Sequence, residues 1–361
     1  MSCTFRRVDH TFAVTFVENA DLKNTVVEAI NDMLPRNLSI VGYDLRRVDD
    51  VILTSFQSML EYTGNLRFAP QTNLPICSAN EWDEICTSIL RVRLEEVTVC
   101  ELLGRDTEWT LSEGASSLIK NLTDLDANNT SKYYSRISNE ALELLRQSEI
   151  LIQPIRKCLY LISKYLTNEA LVDSLVSLLF HELGFYSGML YPVPQHSLPL
   201  QYGGDVNATA KADFNVIDVL SFCRMVVAED KSGANARVNS FPQLIAESIS
   251  AVQKNLETST SCKRKWEQLV EEESATDSTV LGLRVNGTFF FFYNILVSRP
   301  ILSAMKLKGP ASEDTLIKMV GGSEGLNFLV PEHREVIVTI LDAWRVDIEK
   351  KGRDSVRRLS T

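Results

Sequence analysis

Apolar residues recur at three- and four-residue spacing through Leu22–Leu34, Val51–Tyr62 and Trp82–Leu103, the period of a helix with one buried face. Glu140–Leu166 repeats the pattern. Pro154 within it predicts a helix start or a kink, because proline lacks the amide hydrogen and clashes one turn back. The polar run Asp124–Asn139 is rich in Asn, Ser and Asp, which compete with helical hydrogen bonds, so it reads as a linker or exposed loop. Residues 1–150 therefore read as an α-helical region whose role the pattern leaves open.

From Thr167 the grammar changes. Asn168–Leu183 has a helical period that stops at Gly184, and short runs rich in Val, Ile and Phe follow, separated by Gly, Pro and Asn. Ala212–Val219 and Phe222–Asp230 are expected strands, with Asp218–Ser221 the turn between them. Phe241–Asn255 predicts an amphipathic helix with Leu244, Ile245, Ile249 and Val252 on one side. Leu281–Val285 and Phe289–Val297 flank Asn286–Gly287, a pair suited to the positive φ of a type I′ hairpin turn. The uninterrupted aromatics from Phe289 to Tyr293 then predict a strand buried on both faces. Pro331–Lys351 is an expected helix, opened by proline and closed before Gly352. Residues 151–361 thus predict an α/β (α+β) domain, a central mixed sheet flanked by helices, with a C-terminal helical extension.

Composition adds limits rather than a function. With 45% hydrophobic and 23% charged residues, the 361-residue chain has the balance of a globular protein. The N-terminal MSCTFRRVDHTF lacks the apolar core of a secretion signal, and no stretch reaches the roughly 18 apolar residues of a membrane span. The seven cysteines are odd in number and lack CxxC spacing, which indicates neither a disulfide framework nor a zinc cluster. A soluble, intracellular protein of the cytoplasm or nucleus is expected, with no membrane partner. The net charge of −10 argues against broad, salt-driven adhesion to nucleic acid while leaving room for a local basic groove.

The candidate chemistry lies on the first strand pair. Side chains two apart on a strand share a face, so Glu229 and Lys231 point one way and Asp230 the other. Antiparallel pairing through a short turn brings Asp213 opposite the end of the next strand. Two carboxylates and a lysine then converge, a set suited to phosphodiester hydrolysis with Mg²⁺ or Mn²⁺ held by hard oxygen ligands.

Asp213, then Glu229-Asp230-Lys231, then a helix beginning Gln243-Leu244-Ile245-Ala246-Glu247 resembles the core of the PD-(D/E)XK nuclease superfamily. More narrowly, VAEDKS followed by PQLIAESISA is similar to fungal and oomycete nuclease-like domains, among them C-terminal domains of Crinkler-type effectors. The likeness runs from about Leu171 to Trp344. It implies a restriction-endonuclease-like core that cleaves DNA or RNA, with Asp213 and Glu229 as metal ligands and Lys231 as the group positioning water. Gln243 and Glu247, one helical turn apart, are implied to face the catalytic strands as substrate-binding or supporting residues. An acid on the helix before the first strand is implied too. Asp173 is the candidate by position, with Glu182 a second. Ala212 stands where the superfamily has its proline, which shapes backbone and binds no metal. The N-terminal region has no counterpart of the Crinkler ubiquitin-like module. The alternative is a nuclease fold without catalysis, acting through a protein partner bound by the helical N-terminal region.

Overall fold

The computed structural model describes residues 73–106, 109–122, 152–165, 168–203, 206–219, 224–231, 240–259, 265–271 and 277–359, together with four short strands nearer the N-terminus. Those four form two antiparallel pairs, β1 (Ser2–Arg6) with β2 (Thr11–Thr15) and β3 (Tyr43–Arg47) with β4 (Leu66–Pro70). The expected helices Leu22–Leu34 and Val51–Tyr62, and the Asp124–Asn139 loop, lie outside the described residues.

Among the described residues the main sheet has eight strands. From one edge to the other they run β5 (Val92–Glu96), β13 (Thr315–Val320), β12 (Phe289–Val297), β11 (Ser278–Asn286), β10 (Arg224–Lys231), β9 (Phe214–Asp218) and β6 (Leu190–Pro194), with β14 (Leu326–Asn327) beside β12. The β5/β13 and β10/β11 pairs are parallel and the rest antiparallel, so the sheet is mixed. A separate hairpin, β7 (Ser197–Tyr202) with β8 (Val206–Lys211), precedes β9.

Helices cover both faces. Among the described residues they are, in chain order, α1 (Glu84–Ile89), α2 (Val99–Leu103), α3 (Glu113–Asn121), α4 (Ile152–Lys164), α5 (Glu169–Glu182), α6 (Phe241–Ser259), α7 (Trp266–Glu271), α8 (Arg299–Leu307) and α9 (Pro331–Leu359). Parallel pairing of β10 with β11 requires a crossover, and α6 lies in that connection. Pro154 falls in the first turn of α4, where its missing amide costs no helical hydrogen bond.

Strand alternation divides the apolar residues between two cores. Phe214, Val216, Ala228, Leu283, Val285, Phe290 and Phe292 pack with Val172, Leu175 and Leu179 of α5 and Trp344 of α9. On the other face Phe291, Tyr293 and Ile295 pack with Leu244, Ile245, Ile249 and Val252 of α6. The aromatic run is therefore buried on both faces, as its sequence predicts, except at Phe289, which remains exposed. Gly282 marks the closest approach of α6: a Cβ there would stand 2.5 Å from Ile295 Cδ1 and 3.2 Å from Leu244 Cδ2.

Three local expectations change. Trp82–Leu103 is not one helix but α1, β5 and α2. Arg91 adopts a left-handed φ of 53°, which ends the helix, and β5 then pairs with β13, a partner that only tertiary folding supplies. The β11–β12 turn falls one residue later than expected, since Asn286 still pairs with Phe289 and the loop is Gly287–Thr288. Gly287 alone of the two has positive φ, 62°, the sign pattern of a type II′ turn. Finally, α9 continues through Gly352 to Leu359. One glycine weakens a helix by about 1 kcal/mol relative to alanine, which does not by itself end it. Among the described residues no helix is long and apolar enough to cross a membrane.

Candidate functional site

The strands β9 and β10 pair with Phe214 opposite Ala228, Asn215 opposite Val227 and Val216 opposite Val226. Asp213, half-buried, stands directly before β9, and one further step of that register sets it level with Glu229. The bend at Asp213 is held from the sheet edge. The Gln195 amide donates to the Asp213 carbonyl oxygen at 2.8 Å, and Gln195 itself takes a left-handed φ of 47°. Lys211 Nζ donates to the Gln195 side-chain oxygen at 3.1 Å, fixing that turn further.

Glu229, Asp230 and Lys231 form the end of β10. Their backbone and register are described, and their side chains lie outside the described residues. On the opposite flank β10 runs parallel to β11, with Glu229 beside Arg284 and Lys231 beside Asn286.

Neighbouring residues show which face these positions occupy. Phe214, Val216, Ala228 and Leu283 belong to the α5 core. The alternate positions, Asn215 and Gly282, belong to the α6 face, where Gly282 meets Leu244. Strand positions 229 and 231 share the parity of Gly282 and Arg284 through the register, and so fall on the α6 face as well.

Helix α6 adds the pair expected from sequence. Gln243 Nε2 donates to Glu247 Oε1 at 2.9 Å, and Glu247 is only 2% exposed. Across β11, the Arg284 guanidinium lies 3.9 Å from the centroid of the Phe291 ring. Burial pushes the Arg284 pKa down, opposed by neighbouring Tyr293, whose own hydroxyl is pushed up to about 12 chiefly by burial.

Asn215 is the residue that sequence reasoning missed. It is 1% exposed, and neither its Nδ2 nor its Oδ1 has a hydrogen-bond partner. A buried amide group left in that state costs about 1–3 kcal/mol. Its signal lies in the sequence: Asp213 and Asn215 are two apart in the expected strand Ala212–Val219, the same spacing as Glu229 and Lys231.

The α5 candidates are not brought to this face. Val172, Leu175, Val176 and Leu179 of α5 pack on the opposite side of the sheet. Asp173, half-buried, belongs to that layer. Glu182 lies at the end of the same helix, its Oε1 4.0 Å from His181 Nδ1. Among the described residues no group of three or more His, Cys, Asp or Glu side chains is placed to hold a metal ion. Glu229, one of the two expected strand ligands, lies outside the side chains to which that statement applies.

What the backbone assembles is one carboxylate level with a Glu-x-Lys strand end, bordered by a half-buried Gln243 paired to a buried Glu247 and by a buried amide. Such oxygen donors suit a small divalent cation and its water. In comparisons with known proteins, no family model matches the chain and no curated protein is similar to it.

Proposed function

We infer that this site hydrolyses phosphodiester bonds of nucleic acid with Mg²⁺ or Mn²⁺, on a PD-(D/E)XK nuclease-like scaffold. One observation carries the reading. Asp213, directly before β9, is level with Glu229 of β10, and position 229 lies on the face where α6 contributes Gln243 and Glu247. The donor set fits the cation: carboxylate and amide oxygens are hard ligands, and the buried Asn215 oxygen has no other partner.

Asp213 and Glu229 would hold the cation, which would supply polarisation of the phosphate and a lowered pKa of water. Lys231 orients the attacking water and offsets negative charge that develops on the phosphate. The Gln243–Glu247 bond holds the glutamine at the edge of the site, where its amide steadies substrate or a ligating carboxylate. Asp173 has no part in this scheme, because its helix covers the other face. The free thiols of Cys77, Cys86, Cys100 and Cys158 support a place inside the cell, in the cytoplasm or nucleus.

The test is cleavage of labelled single- and double-stranded DNA and RNA in Mg²⁺ or Mn²⁺. Asp213→Asn and Lys231→Ala are expected to slow it by roughly 10²–10⁴-fold with unchanged circular dichroism. Undiminished cleavage in both variants overturns the assignment. A folded wild-type protein that cleaves none of these substrates favours the non-catalytic alternative, a module acting through a protein partner.

A further inference from the structure

We propose that Asn215 is a further oxygen donor of the site, its Oδ1 facing the hydrated divalent cation held by Asp213 and Glu229. This rests on the metal site inferred above and adds a neutral ligand to it.

Position is the first argument. Asn215 lies in mid-strand, paired with Val227 of β10 on one side and Val193 of β6 on the other. It lies on the α6 face two residues after Asp213, and in the register it is diagonal to Glu229. Side chains at directly opposed and diagonal positions of one face lie within mutual reach.

Its chemistry is out of place otherwise. Phe214 and Val216 flank it in sequence, and valines flank it across both pairings, so an apolar β-branched residue is what sheet packing favours there. Several buried polar groups of α6 are paired. Ser248 Oγ donates to the Leu244 carbonyl at 2.8 Å, and Ser250 Oγ to the Pro199 carbonyl at 2.9 Å. Gln253 exchanges two bonds with the Gln201 backbone, at 2.8 and 3.0 Å. Asn215, at 1% exposure, has neither polar atom paired. An amide kept in that state within hydrogen-bonding reach of a cation site gains its partner when the cation and its water enter. A neutral oxygen suits the position, because a third carboxylate beside Asp213 and Glu229 would add repulsion whenever the cation is absent.

Calorimetric titration of the full-length protein with Mn²⁺ tests this, alongside thermal unfolding in chelator and in Mn²⁺. Asn215→Val is expected to weaken Mn²⁺ binding by roughly 10–100-fold. In chelator it should melt no lower than wild type, because an apolar side chain removes the unpaired amide. Binding lost in Asp213→Asn but unchanged in Asn215→Val overturns this inference alone. Wild type and Asp213→Asn titrating alike removes the metal site, and the inference with it. Asn215→Asp is the second variant, and its melting temperature is expected to rise more on adding Mn²⁺ than the wild type's does. An equal or smaller rise also overturns the assignment.

Discussion

Asp342 of α9 shows how much a single buried carboxylate organises. Its side chain has no exposure and accepts from Trp109 Nε1 at 2.9 Å, the Ser112 amide at 2.9 Å and Ser112 Oγ at 2.7 Å, with Arg345 at 3.4 Å. Burial alone would raise its pKa, but the Ser112 amide, Trp109 indole, Ser112 hydroxyl and Arg345 charge together hold it below the ordinary value. A carboxyl group depressed in the folded state contributes stability that is complete above its unfolded pKa and lost as pH falls through the folded one. Stability is therefore expected to decline below about pH 4. Asp342→Asn places an NH₂ against these donors and should cost about 1–3 kcal/mol at neutral pH. The deficit relative to wild type should shrink in acid. Urea unfolding at both pH values measures it, and a deficit that does not change with pH counts against this account.

The β11–β12 hairpin is the element that presents Arg284 and Asn286 beside β10. Its register has no irregularity from the Ser278–Val297 pair to the Asn286–Phe289 pair, so the turn sets the position of every cross-strand neighbour. Gly287 holds φ at 62°, a conformation that costs a residue with a Cβ roughly 1–2 kcal/mol. Gly287→Val is expected to lower the unfolding free energy by at least that much, with Gly287→Asn losing less. A urea midpoint unchanged by valine would sink this reading of the turn. Helix α6 is fixed from the other side by the close approach of Leu244 to Gly282, which sets where Gln243 and Glu247 stand above the sheet.

Across the molecule, residues of the 73–122 segment are built into the same cores as the later sheet. Strand β5 extends the sheet beyond β13, with Arg91 and Arg93 both paired to Asp314 at 2.6 and 2.9 Å. The Leu74 amide donates to the Lys308 carbonyl at 3.0 Å, and Trp82 Nε1 donates to Tyr202 Oη at 3.1 Å. The buried Arg334 guanidinium donates to the Leu122 carbonyl at 2.5 Å. A fragment of residues 151–361 lacks these partners. It is expected to expose the α6 core near Ile317 and Met319, to bind a hydrophobic dye and to lose cooperative melting, while a fragment beginning at residue 73 keeps it. Sharp, dye-free melting of the shorter fragment would show that the early segment is dispensable.

Period and residue type by themselves determined a good deal: the α/β class, the doubly buried aromatic strand, the apolar side of α6, and the antiparallel setting of Asp213 against the end of β10. These follow from local rules, since strand alternation and a short turn restrict which residues can be neighbours. Tertiary structure alone decided that Val92–Glu96 is a strand, because its partner lies more than 200 residues away in the chain. It also decided that α5 covers the face opposite α6, and that Asn215 is enclosed without a partner. A sequence records that an asparagine is polar. Only the layers packed around it determine whether water, protein or a ligand satisfies its amide.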